Sequence, residues 1–286
     1  MRRVRPPVVA GTFYESFPTL LKKQIEECFL HKLGVGRLPS EPQFTADTTQ
    51  LLISPHAGYM YSGPVASHGF YRLSQRGLVN TVIIIGPNHY GLGSAVAVSD
   101  EDAWRTPFGE VELDSEVIED LVNFTEFLEK DSIAHSHEHS LEVQLPFLQY
   151  IYPTHKFSIV PIVMRLQTPE VAEDLANGIY RIIEKYGQKR FAVIASSDFT
   201  HYEPYENALR KDLKAINLIK ELKVEEFYNY IIEMNVTICG VGPIMALMVL
   251  ASKLNKRKVT LLKYATSGDI TGDKSAVVGY ASIIFE

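Results

Sequence analysis

The sequence predicts an α/β fold: a central mixed, mainly parallel sheet flanked by helices. Three observations carry this. Strand-sized runs rich in β-branched residues recur between Gln50 and Phe285. Amphipathic helical segments separate many of these runs, and that alternation implies βαβ units with both sheet faces covered. The 286 residues contain no internal repeat, no low-complexity tract and no linker rich in Gly, Ser and Pro. A single domain over residues 1–286 is therefore expected.

The elements follow in order. Ser16 to Lys32 carries Leu20, Leu21, Ile25 and Phe29 at helical spacing behind a Ser-Phe-Pro start. A strand is expected at Gln50–Pro55, then a helix over Pro64–Ser74 with proline in its first turn, where a missing N–H costs nothing. Strands at Val82–Gly86 and Ala95–Val98 precede a helix from Asp114 to Phe124. The apolar run Leu141, Leu145, Phe147, Leu148 and Ile151 predicts a helix beginning at Glu138, with His135 and His137 in an exposed loop before it. A strand at Phe157–Met164 is followed by a helix that Thr168-Pro169-Glu170 caps and Gly187 stops. Beyond it come a strand at Phe191–Ser196, helices at Tyr205–Leu222, Val224–Glu233 and Gly242–Leu254, and strands at Thr260–Tyr264 and Ala276–Phe285.

Composition excludes several classes. Hydrophobic residues make up 46% and charged residues 22%, as in ordinary globular proteins. A net charge of −6 speaks against a nucleic-acid partner, because phosphate binding needs a basic field. The basic start Arg2-Arg3-Val4-Arg5 reads as a solvated tail, and no apolar core follows it as a secretory signal would require. The apolar runs are too short to span a membrane. With only Cys28 and Cys239 present, no disulfide framework is expected, and the setting is read as reducing and cytoplasmic.

Three segments place a metal-ligating side chain where an apolar run stops. His56 follows Gln50-Leu51-Leu52-Ile53, His89 follows Thr81-Val82-Ile83-Ile84-Ile85, and Cys239 lies in Thr237-Ile238-Cys239-Gly240. In open α/β sheets the edge where strands end is where ligands gather. Two imidazoles and a thiolate there would bind a transition metal and leave coordination positions open. The histidines share one grammar: strand, proline, histidine, nearby glycine. Tyr59, Tyr61 and Tyr90 beside them fit either a pocket or ordinary packing. Cys239 taken alone reads equally as a small apolar residue, and Cys28, inside an amphipathic helix, as structural.

Asp198 and His201 follow the strand Phe191–Ser196. Three residues apart, they would share a face on a helical turn, with Asp198 orienting His201 for acid–base work. Glu138, His139 and Glu142 become pocket residues if their segment is helical. Trp104 lies in a stretch read as irregular, either a pocket wall or a plug. No phosphate-cradling loop and no Gly-x-Ser-x-Gly elbow occurs.

An ordered set of short motifs resembles the Memo family (mediator of ErbB-receptor-driven cell motility), whose prokaryotic members are labelled AmmeMemoRadiSam system protein B. The set comprises Arg5-Pro6-Pro7-Val8-Val9-Ala10-Gly11-Thr12-Phe13-Tyr14, Pro55-His56-Ala57-Gly58-Tyr59, Gly86-Pro87-Asn88-His89 and Thr106-Pro107-Phe108-Gly109. Glu138-His139-Ser140-Leu141-Glu142, Ser196-Ser197-Asp198-Phe199-Thr200-His201-Tyr202 and Cys239-Gly240 complete it. The resemblance runs nearly end to end. It implies a fold similar to class III extradiol ring-cleaving dioxygenases. It also implies His56 and His89 as metal ligands, Cys239 as the third where the dioxygenases have glutamate, and His201 with Asp198 at the acid–base position. Fe(II) is the metal it implies, and a thiolate ligand admits Cu or Zn. A functional association with a radical-SAM protein is implied by the family label alone.

The expected function is thus an oxidoreductase, dioxygenase-like, acting on a small aromatic molecule. A non-catalytic module holding a peptide or metal, and a metal-dependent hydrolase, are the alternatives.

Overall fold

A computed structural model describes residues 2–46, 48–187 and 190–286. In chain order the elements are β1 (Val4–Arg5), α1 (Pro18–Leu30), β2 (Gln50–Ser54), α2 (Tyr59–Ser74), β3 (Thr81–Pro87) and β4 (Val96–Val98). Next come β5 (Ala103–Thr106), β6 (Gly109–Glu112), α3 (Ser115–Phe124), β7 (Leu128–Lys130), a 3₁₀ turn (Ser132–His135), α4 (Gln144–Ile151), β8 (Ser158–Met164) and α5 (Pro169–Lys185). The last are β9 (Phe191–Ser196), β10 (His201–Glu203), α6 (Tyr205–Lys220), α7 (Val224–Glu233), α8 (Val241–Lys253), β11 (Val259–Thr266), α9 (Ser267–Thr271) and β12 (Val277–Phe285).

The expected mixed sheet forms with spatial order β10-β12-β2-β9-β3-β8-β4-β7, and β11 pairs with β12. Its four central strands, β2, β9, β3 and β8, are parallel. Antiparallel pairing begins at β12 on one side and β4 on the other. Nearly every residue of the central strands is buried, which explains why they read as continuous rather than alternating apolar runs. Helix α2, with α1 and α4 against it, covers β2 and β12; α8, with α5 and α7 against it, covers β3 and β9. Among the described residues, no helix is long and apolar enough to cross a membrane.

Local expectations fail where tertiary contacts compete. Helix α2 starts at Tyr59, so Pro64 lies inside it rather than opening it. The early turn is pinned by Tyr59 N–H donating to the Phe13 carbonyl (2.8 Å) and Ser62 N–H to the Gly58 carbonyl (3.1 Å). The helix expected from Glu138 begins only at Gln144. The Glu138 carboxylate accepts from the N–H groups of His139 (2.9 Å) and Ser140 (2.8 Å), a local side-chain bond that displaces helical pairing. His135, expected in an exposed loop, is fully buried, whereas His137 is exposed. The short strands β1, β5 and β6 form a second small sheet, with Arg5 opposite Trp104. Arg5 is therefore no solvated tail residue; it is buried.

Candidate metal centre

The parallel strands deliver three side chains to one edge with the same offset. His56, His89 and Asp198 each stand two residues past the last residue of β2, β3 and β9. Strand β9 separates the other two, so β2 and β3 are about 10 Å apart. The two imidazoles nevertheless approach each other across the end of β9, with ring centroids 5.2 Å apart.

His56 is buried and held at both ends of its residue. Its backbone N–H donates to Asp198 Oδ1 (2.8 Å), and its Nδ1 lies 2.9 Å from Ser196 Oγ. The serine hydroxyl donates its one hydrogen to the Ser140 carbonyl (2.7 Å) and accepts from Gln144 Nε2 (2.8 Å). Toward His56 it can therefore only accept, so Nδ1 carries the proton and Nε2 is the ring atom open to a metal. Burial, then the neighbouring His89 and His139, holds His56 well below the ordinary imidazole range and keeps it neutral.

His89 is fixed by a carboxylate. Its Nδ1 donates to Glu138 Oε1 (2.9 Å) and its backbone N–H to Glu138 Oε2 (2.7 Å). Glu138 is fully buried, which works to raise its pKa. The hydrogen bonds and charge of His89 and the Ser140 N–H outweigh burial and hold it well below the usual carboxylate range. The anion thus fixes the His89 ring and leaves Nε2 outward, the support common behind metal-binding histidines.

The third member of the cluster is His139. Ligand nitrogens of His56, His89 and His139 all lie within 4.8 Å of one another. His139 stacks on His89 with centroids 4.6 Å apart. Gly86 makes this approach possible, because a Cβ there would stand 2.6 Å from Ser140 Oγ and 2.7 Å from Leu141 Cδ2. Burial lowers His139 to about 4, so it too is neutral near pH 7. Its Nδ1 is buried with no hydrogen-bond partner among the described residues. Glu138 Oε1 stands 3.5 Å from it without a hydrogen bond. An imidazole so loosely held beside two oriented ones fits a divalent transition metal, which takes neutral imidazole as a ligand.

Cys239 lies at the edge of this group, with Sγ 3.3 Å from His56 Nε2 and accepting from the Asp198 N–H at 3.2 Å. Gly240 allows the close approach: a Cβ there would meet Ser197 Cβ at 2.6 Å and the Ser196 carbonyl at 2.7 Å. Gln167 pins the segment, donating to the Cys239 carbonyl (3.0 Å) and accepting from Gly242 N–H (2.7 Å). Burial, followed by the charge of Asp198, pushes the Cys239 thiol up; in the metal-free state it is a thiol, and a bound cation would favour the thiolate.

The expected Asp198–His201 pair does not form as a helical turn. Residues 197–200 form neither helix nor strand and His201 opens β10, so the helical turn that the spacing suggested is absent. Asp198, pushed up to about 6 by burial, serves the His56 backbone. His201 is anchored on Thr237 instead, with its Nδ1 2.7 Å from the Thr237 carbonyl.

Three residues expected at the pocket serve the packing behind it. Glu142 pairs with Arg5 (2.7 Å) and accepts from the N–H groups of Val8 and Val9 and from the Tyr14 hydroxyl (2.6 Å), tying down the N-terminal segment. Tyr59 donates to the Val143 carbonyl (2.7 Å) and packs on Phe147. Trp104 sits in strand β5, buried, with Arg5 over its ring at 4.1 Å. Arg5 also donates to the Glu138 carbonyl (2.6 Å), bracing the loop that carries Glu138 and His139. Ser196, Gln144, Gln167 and Thr237 have no local sequence signal that marks them as supports.

The family model of the Memo-like protein matches residues 5–284. A MEMO1 family protein of Sulfurisphaera tokodaii is 52% identical over 283 residues, covering 99% of both chains. Another, of Sulfolobus acidocaldarius, is 51% identical over 284 residues with the same coverage. Among solved structures, the uncharacterized protein JW3007 from Escherichia coli K12 superposes with a TM-score of 0.55 at 10% identity, covering 83% of this chain and all of that one. That likeness concerns the fold.

Proposed function

The chain belongs to the Memo-like protein family, and on that premise we propose that it is a metal-dependent oxidoreductase acting on a small aromatic molecule in a reducing, cytoplasmic setting. The observation that carries this reading is the compact triple of His56, His89 and His139, with the Nδ1 atoms of the first two already occupied by Ser196 and Glu138. The side chain of His89 is 29% exposed, which leaves the cluster one open side. His56, His89 and either His139 or Cys239 would hold Fe(II), with Cu or Zn as competitors for so mixed a donor set. Bound there, the metal would supply Lewis acidity and an electron-transfer centre. His201 would accept or return the substrate proton, and Asp198 would keep the His56 backbone in place.

A second reading has one observation in its favour. Three imidazoles with an open position also suit zinc and an activated water, so a hydrolase shares the same ligands. Elemental analysis of protein purified without oxygen separates the outcomes. One metal per chain is expected, lost in His56→Ala. Iron-loaded protein should consume O₂ with some catechol or phenol. Absence of O₂ uptake across such a panel would defeat the oxidoreductase reading, and turnover of an ester under argon would favour the hydrolase.

A further inference from the structure

The ring of His201 meets a group that can only accept. Its Nδ1 is 2.7 Å from the Thr237 carbonyl, so Nδ1 carries a proton and Nε2, across the ring, is the basic nitrogen. Thr237 grips the same residue twice more: Thr237 Oγ1 accepts from the His201 N–H (2.7 Å) and donates to the His201 carbonyl (3.3 Å). The preceding residue is pinned from the opposite side. Asp212 is fully buried on α6, and its Oδ1 accepts from both the N–H (3.1 Å) and the hydroxyl (2.6 Å) of Thr200. Its Oδ2 accepts from the Tyr264 hydroxyl (2.7 Å), which fixes the carboxylate in turn. The Thr200 carbonyl accepts from Gly279 N–H (2.8 Å) and Phe199 N–H donates to the Gly279 carbonyl (2.8 Å), so residues 199–201 have no slack.

The next residue shows what this clamping sustains. Tyr202 has φ 59°, a left-handed conformation that a bulky residue keeps only where its surroundings over-determine it. Thr237 stands two residues before Cys239, so one segment carries both the His201 clamp and the thiol beside His56.

We propose that His201 is held in a single Nδ1–H tautomer by Thr237 and, through Thr200, by the buried Asp212. Both are positioning residues for the proton-transfer role that the proposed function gives His201, and the inference rests on that reading for its chemical consequence only. The carboxylate that serves His201 is then Asp212, while Asp198 serves His56. An oriented imidazole with one fixed tautomer presents its lone pair to substrate without first reorganising.

Long-range ¹⁵N–¹H spectra of the histidine rings in the full chain, near pH 8, test this. Wild type should show His201 protonated at Nδ1 alone. Thr237→Val keeps the carbonyl but removes both Oγ1 bonds that set the His201 backbone against it, and Asp212→Ala frees Thr200. Both should admix the Nε2–H tautomer, whereas Asp212→Asn should keep the wild-type spectrum because its amide oxygen still accepts from Thr200. Thr200→Val carries the test if Asp212→Ala does not fold. Affinity for Zn(II) alone should be unchanged in every variant. An unaltered His201 tautomer in both Thr237→Val and the Asp212 or Thr200 variant would overturn the proposal. Where a substrate is found, kcat should fall at least about tenfold at unchanged KM. If tautomers shift while no form consumes O₂, the positioning stands and the oxidoreductase reading fails by itself.

Discussion

His56 and His89 leave the sheet on either side of β9 in the same way, yet different chemistry holds them. The ring of the buried His56 leans on a neutral hydroxyl, Ser196, which Gln144 helps orient and which settles its tautomer. The Asp198 carboxylate meets only its backbone N–H. His89, whose side chain is 29% exposed, leans on the ionised Glu138, buried at a desolvation cost that its hydrogen bonds from His89, His139 and Ser140 offset. Where burial already keeps an imidazole neutral and still, a hydroxyl is enough. Where water can reach the ring, a carboxylate both orients it and raises its basicity as a ligand.

If that contrast is right, the charged arm is the more vulnerable. Glu138→Gln should weaken metal binding about 10–100-fold, since an amide cannot accept from all of the N–H groups that now converge on the carboxylate. Competition titration with Zn(II) measures it, and a loss no greater than that of Ser196→Ala would erase the distinction.

Acid should attack the same arm next. His135, behind Glu138, has its carbonyl held by Arg5 Nε (2.8 Å) and its ring fully buried. Burial, and then the positive charge of Arg5, lowers His135 to about 3. The native state therefore stays unprotonated there, while the unfolded chain takes up a proton below about pH 6.5. Stability should fall by about 1.4 kcal/mol per pH unit from this residue as pH drops from 6.5 toward 3. Denaturant unfolding at several pH values checks this, and His135→Phe should flatten the slope. An identical slope in that variant would assign the acid sensitivity elsewhere.

The smallest effect belongs to the neutral arm. Ser196→Ala removes the acceptor for His56 Nδ1 and should weaken metal binding by roughly 0.5–1 kcal/mol, about two- to fivefold. A greater loss than Glu138→Gln would invert the ranking of the two arms.

Much of the fold is legible locally. The β-branched run Thr81–Ile85 and the capped stretch after Thr168 become β3 and α5 because each local pattern agrees with its final burial. The turn at residues 138–143 is not legible, because the apolar spacing after it says helix while a carboxylate bonding to nearby N–H groups says otherwise. Arg5 reads as a tail residue, since nothing near it in sequence reveals Glu142, 137 residues away, or the Trp104 ring that covers it.

Sequence alone determined the class of the sheet and the two histidines at its edge, because apolar run, proline and histidine are neighbours along the chain. Tertiary structure decided which side chains, His139 and Cys239, gather beside them and what supports each one. His56 meets Ser196 across 140 residues and Cys239 across 183. Asp198 and His201 stand three apart yet are divided between His56 and Thr237. Burial, tautomer and ligand geometry arise from such contacts, and they exist only once the strands lie side by side.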